Sequence, residues 1–251
     1  MDFDGVIVDG MKEYWWSSKT ACTKLLLNKT CTKDIFSNQI PKSFIRMRPW
    51  INHGWEMVLL AAESTRKNSK LLNINDSAEY TKYQTYQQEA IKYWGWTPNQ
   101  LQLSLETARI NAIKKNRKSW LNLHQPFPRV IERFRQFDKE FIDTAILTTK
   151  GKSFTAEILN DFRIKPSFLF GHESGNKIDI LKILCKERFI KGFIEDRLET
   201  LKAVKQDPTL SFINCYLASW GYLKGSERRN LPLGVSLLQS EIFQTPLASW
   251  R

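Results

Sequence analysis

Met1, Asp2, Phe3, Asp4, Gly5, Val6, Ile7, Val8, Asp9, Gly10 opens the chain and decides how the rest is read. Asp2 and Asp4 stand one residue apart. Gly5 follows at once, where the lack of a Cβ permits a sharp turn and lets backbone amides approach an anion closely. Such a carboxylate pair also arises by chance in loops and metal sites, and alone it reads equally well as a solvated acidic terminus. Three later stretches, met in order along the chain, give it weight.

The first is Ala145, Ile146, Leu147, Thr148, Thr149, Lys150, Gly151, an apolar strand that ends in hydroxyls; by itself Thr148 would be a β-prone threonine at a strand end. The second is Gly175, Asn176, Lys177 at an expected helix start, with Lys165 and Lys182 as competing lysines. The third is Gly192, Phe193, Ile194, Glu195, Asp196, Arg197, Leu198, Glu199, an acidic pair behind an apolar strand, which also suits a helix N-terminus and its dipole. In this order the four stretches resemble the motifs of the haloacid dehalogenase (HAD)-like phosphatases. Trp220, Gly221, Tyr222 resembles the branch of phosphoglycolate phosphatases and β-phosphoglucomutases.

The resemblance implies that Asp2 attacks phosphorus to give an aspartyl-phosphate, while Asp4 protonates the leaving oxygen and later deprotonates water. It implies that Thr148 hydrogen-bonds the phosphoryl group and that Lys177 offsets charge on nucleophile and phosphate. Mg²⁺, which takes few carboxylates and keeps several waters, would be held by Asp2, the main-chain carbonyl of Asp4 and Asp196. Glu195 would sit beside the ligand and Gly5 would shape the turn. Thr149 and Lys150 are expected as neighbours, and His124 and His172 carry no catalytic expectation.

Between the first and second motifs the periodicity is helical: Ile51, Trp55, Val58, Leu59 and Ala62 share one face, as do Leu101, Leu105, Ala108 and Ala112. Thr97, Pro98 and Gln100 form a capping-box pattern, and Asp76 with Glu79 a second. Beyond residue 140 short apolar runs alternate with helical stretches, with strands expected over 142–149, 167–170, 192–195, 211–217 and 234–238. The fold class read from this is α/β: a Rossmann-like parallel sheet core over 1–11 and 124–251, with an inserted all-helical domain over 12–123. The resemblance makes that insertion a cap, and Arg46, Arg48 and His53, near helix-breaking Pro49 and Gly54, become candidates for substrate binding or for a purely capping role.

The 251 residues carry a net charge of +12, most of it between residues 11 and 140. A positive lobe would concentrate an anionic substrate; a solvated lysine-rich surface explains it equally. A nucleic-acid patch from Lys114, Lys115, Arg117, Lys118 and Trp120 is the least favoured reading, because charge runs are usually solvated. Cys22, Cys31, Cys185 and Cys215 lack Cys-x-x-Cys spacing and read as buried reduced thiols. No apolar run approaches a membrane span and no signal peptide is evident, so a cytoplasmic protein is expected.

One departure from the resembled family stands out: only Met1 precedes Asp2, where a buried apolar strand is expected. Either a strand lies upstream or the nucleophile sits in a frayed terminus, and the chain is expected to be less active than one given an apolar N-terminal extension. The function expected is Mg²⁺-dependent hydrolysis of a small phosphorylated metabolite. A phosphomutase of the same fold and a catalytically impaired binding protein are the alternatives.

Overall fold

The computed structural model describes residues 1–27, 36, 38–74 and 80–250. The chain divides into two compact units, Gly10–His124 and Met1–Asp9 with Gln125–Arg251. Cys31 and the Asp76/Glu79 cap pattern lie outside the described residues.

The first unit is helical: α1 (Met11–Leu27), α2 (Lys42–Met47), α3 (Trp55–Glu63), α4 (Tyr80–Trp94) and α5 (Pro98–Leu121). On α5 the expected Leu101, Leu105 and Ala108 are buried with Ala112 half-buried, whereas α3 is buried all round, Met57, Leu60 and Ala61 as fully as Val58, Leu59 and Ala62; both helices pack on α1. The capping box that starts α5 is present in both directions, with Gln100 N–H donating to Thr97 Oγ1 at 3.2 Å and Thr97 N–H donating to Gln100 Oε1 at 2.9 Å. Helix α5 is interrupted at Asn116 (φ −161°, ψ 90°), whose Oδ1 then accepts from Ser119 N–H and caps the final segment. Buried charge is paired: Arg109 grips Glu13 at 2.8 and 2.9 Å, the fork geometry that makes such a contact tolerable out of water.

The second unit holds the sheets: β1 (Val8–Asp9), β2 (Gln125–Pro126), α6 (Val130–Lys139), β3 (Ala145–Leu147), α7 (Lys152–Asp161), β4 (Phe168–Phe170), α8 (Lys177–Glu187), β5 (Gly192–Glu195), α9 (Leu198–Gln206), β6 (Asn214–Ala218), β7 (Val235–Leu238) and α10 (Ser240–Phe243). Strands β3 and β4 pair in parallel, as do β5, β6 and β7, while β1 and β2 form a short antiparallel ribbon absent from the sequence reading. Two strands begin three residues later than expected. Residues 141 and 142 finish α6 instead: Phe141 takes φ 54° and Ile142 N–H returns to Phe137 O at 2.9 Å, a Schellman-type closure, while Thr144 O already accepts from Phe168 N–H at 3.0 Å. Residues 211–213 make a turn, with Ile213 N–H donating to Leu210 O. The core joins Leu181 of α8, Leu201 and Val204 of α9, and Phe193, Cys215 and Leu217 of the strands.

Met1 and Asp2 lie between the two parallel sheets. The Met1 amine donates to Ala145 O at 2.6 Å, Leu147 N–H donates to Met1 O at 3.0 Å, and Asp2 N–H donates to Ile194 O at 2.8 Å. The frayed nucleophile is therefore not what the structure has, since Asp2 is 6% exposed and tied to strands on both sides. Behind Met1 the same gap continues as a cavity of about 580 Å³ walled by residues 142–147 and 189–194.

Two further expectations change. Trp120 is 1% exposed and meets His124 edge-on, so it offers no stacking platform beside the exposed lysines. Cys22 and Cys215 are buried free thiols, with burial pushing the Cys22 thiol up to about 12, but Cys185 is only half-buried. No helix among the described residues is long and apolar enough to cross a membrane.

Candidate active site

Parallel strands place their C-terminal ends along one edge, and in open parallel sheets ligands bind there. Thr148 follows β3, Glu195 ends β5 and Asp196 follows it. The Met1 and Asp2 pairing carries Asp2 to the same edge. The backbone then stops being extended. Ile7 and Val8 N–H donate to Phe3 O, Gly5 N–H donates to Val8 O at 2.9 Å, and Phe3, Val6, Ile7 and Val8 are buried beneath the turn. Gly5 has φ +93°, and a Cβ there would lie 1.9 Å from Asp196 Oδ2, so both backbone and space require glycine.

Asp2, Glu195 and Asp196 are buried, and each offers a carboxylate oxygen within 4.8 Å of the others. Lys177, the first residue of α8, reaches into this group at 2.8 Å from Asp2 Oδ1 and 2.6 Å from Glu195 Oε2. The Asn176 side chain caps α8 by accepting from Asp179 N–H, which fixes where the lysine starts. Of the competing lysines, Lys182 pairs with Asp207 at 2.7 Å and Lys165 is exposed. Burial and the neighbouring Glu195 charge raise the Asp2 carboxyl to about 6, with Lys177 opposing them. Burial works against the Lys177 charge, but Asp2 and Glu195 outweigh it and its pKa is raised.

Glu195 Oε1 accepts from Asp196 N–H at 3.1 Å and Arg197 N–H at 3.3 Å, bracing the turn that presents Asp196. Thr148 is buried, and its Oγ1 accepts from Lys150 N–H at 3.1 Å, so the hydroxyl hydrogen is directed elsewhere. Asp4 is buried, and Lys150 Nζ lies 3.4 Å from its Oδ1. Lys150, expected as a neighbour of the motif, faces Asp4. Its signal was present in Thr148, Thr149, Lys150, but the aim of a long side chain is not written in strand periodicity.

The Trp220, Gly221, Tyr222 stretch latches the acidic turn. Trp220 Nε1 donates to Val6 O at 3.0 Å, Tyr222 N–H donates to Asp196 Oδ2 at 3.2 Å, and the Tyr222 hydroxyl donates to Asp9 Oδ1 at 2.6 Å. Gly221 is needed for the approach, since a Cβ would fall 2.4 Å from Asp196 Cβ.

Arg46, Arg48 and His53 belong to the helical unit. Arg46 donates to the carbonyls of Leu72 and Ile74, Arg48 is buried over the Tyr14 ring at 5.6 Å, and exposed His53 is stacked on Trp55 and contacts Asn52. These contacts lie within that unit.

A hard divalent cation fits the donor set of Asp2, Asp196 and Glu195: buried carboxylate oxygens, with no histidine or thiol among them. Glu195 is braced through both oxygens by Lys177 and two amides, so Asp2 and Asp196 are the stronger ligand candidates.

No family model and no curated protein sequence matches the chain. Solved structures do match in fold. One is a predicted phosphoglycolate phosphatase from Haemophilus somnus 129pt, 15% identical, covering 94% of this chain and 91% of that one with a TM-score of 0.58. Others are a predicted phosphatase from Clostridium acetobutylicum (11%, 94% and 91%, TM-score 0.54) and a haloacid dehalogenase-like family hydrolase from Streptococcus pneumoniae (14%, 94% and 90%, TM-score 0.51). At these identities the likeness is one of fold: the chain has the α/β fold of the HAD-like hydrolases.

Proposed function

We propose that this chain is a HAD-type phosphatase that hydrolyses a small phosphorylated metabolite through an aspartyl-phosphate. The observation that carries the reading is the buried set of Asp2, Lys177, Glu195 and Asp196 beside the ends of parallel strands. A nucleophile, a charge-compensating lysine and a pair of hard ligands are what phosphoryl transfer requires.

In the first half-reaction an Asp2 carboxylate oxygen bonds to phosphorus, the ester P–O bond breaks, and the leaving oxygen takes a proton from the Asp4 carboxyl. In the second, water attacks phosphorus, Asp4 takes the water proton, and inorganic phosphate leaves Asp2 as a free carboxylate. Lys177 keeps Asp2 aimed and offsets charge gathering on the phosphoryl oxygens, and the Thr148 hydroxyl donates to one of them. Mg²⁺, held by Asp2, Asp196 and the Asp4 carbonyl, would supply further charge neutralisation. The helical unit would serve as the cap, with leaving-group recognition among its polar residues, Arg46, Arg48 and His53 included.

The test is phosphate release from p-nitrophenyl phosphate and a panel of sugar and organic-acid phosphates, with Mg²⁺ or a chelator. Turnover should require the metal and fall by more than about 10⁴-fold in Asp2→Asn. Turnover that survives Asp2→Asn would defeat the covalent mechanism, and an isomeric phosphate formed without free phosphate would identify a mutase.

A further inference from the structure

We propose that Lys150 is a positioning residue for Asp4, holding one carboxylate oxygen so that the other is the atom that exchanges the proton; the inference rests on the phosphatase reading. Lys150 is 1% exposed and its side chain is out of contact with water, although it carries one of the longest and most flexible side chains available. A buried ammonium is retained only where an anion compensates it. The carboxylate it meets is Asp4, at Oδ1 and 3.4 Å.

The lysine stands on a fixed base. Its N–H donates to Thr148 Oγ1 at 3.1 Å and its carbonyl accepts from His172 N–H at 3.3 Å, so the backbone is pinned directly behind the strand end that carries Thr148. Lys177 takes Asp2 and Glu195, while Lys150 takes Asp4. The contact is an ion pair rather than a hydrogen bond; with Oδ1 drawn to the Lys150 ammonium, the proposed role of Oδ2 is to deliver the proton to the leaving group and later recover one from water. A freely turning carboxyl would spend most of its time misaimed, and orientation is a large part of what a general acid contributes.

Protonation of the leaving oxygen matters greatly for an alkyl ester and little for p-nitrophenyl phosphate, whose phenolate departs unaided. The quantity to compare is kcat/KM, which reports the first transfer only. In Lys150→Met, kcat/KM for an alkyl phosphate should fall about 10²-fold or more, and that for p-nitrophenyl phosphate less than about tenfold. Lys150→Arg should recover part of the alkyl activity, and Lys150→Met should add almost nothing in an Asp4→Asn background. Far- and near-ultraviolet circular dichroism would verify that each variant folds; should Lys150→Met fail, Lys150→Gln carries the same comparison. An equal loss on both esters, or losses that multiply with Asp4→Asn, would overturn the assignment while leaving the phosphatase reading intact. Wild-type protein that releases phosphate from neither ester would remove that reading, and the assignment with it.

Discussion

At the residue scale the site is governed by crowded negative charge. Asp2, Glu195 and Asp196 share a buried space that one lysine partly offsets, and the Asp2 carboxyl is raised first by its burial and then by the Glu195 charge. A cation in that space needs the Asp2 carboxylate ionised. Above pH 6 the proton is already gone, and Mg²⁺ affinity should be nearly flat; below about 6 a proton must be displaced, and affinity should drop by about tenfold per pH unit. Isothermal titration of the metal-free protein between pH 5 and pH 8 would measure this, and a flat profile across that range would contradict the charge arrangement. Much of the site was legible as residues: Asp2, Asp4, Thr148, Lys177 and the Glu195, Asp196 pair were all picked out by their motifs. Lys150 and the Tyr222 to Asp9 bond were not, because each depends on where a long side chain points after the chain has folded.

Elements were read best where local chemistry decides them. The Thr97 capping box satisfies two orphan helix donors within four residues, so it operates whatever surrounds it. Thr97→Ala should lower the unfolding free energy by about 1 kcal/mol, measured by urea denaturation. A change below about 0.3 kcal/mol would mean that α5 is held by packing alone. Element ends were read less well. Ile142 and residues 211–213 were expected in strands, yet Ile142 closes α6 and 211–213 form a turn, because the hydrogen bonds of Ile142 and Ile213 go to preceding residues rather than across a sheet. Helix α5 hides an interruption at Asn116 that its surface-polar sequence does not announce, apart from the asparagine itself.

At the scale of the whole molecule, the two parallel sheets meet across Met1 and Asp2, and the gap continues behind Met1 between the walls at 142–147 and 189–194. Phe141 and Phe189 at their far ends are 97% and 81% exposed. Burial also pulls the Met1 amine down to about 5, the signature of a charge placed where none is welcome. An extension of about five apolar residues joined to Met1 should enter this gap, pair with both walls and remove that terminal charge. It should raise Tm in calorimetry and phosphate release in the assay. An extension that leaves Tm unchanged would show that the gap does not accept a strand.

Legible in the sequence were the α/β class, the order of the motifs, the helical periodicity expected over 12–123 and the candidate acids and lysine. These follow from periodicity, caps and short motifs, which are interactions between residues near in the chain. Tertiary structure alone decided that Met1 and Asp2 are gripped from both sides, that Lys150 faces Asp4, that the Trp220 to Tyr222 stretch latches the acidic turn, and that Trp120 is core rather than surface. Each of these joins residues far apart in sequence, and their distances are fixed only when the sheets and helices have packed.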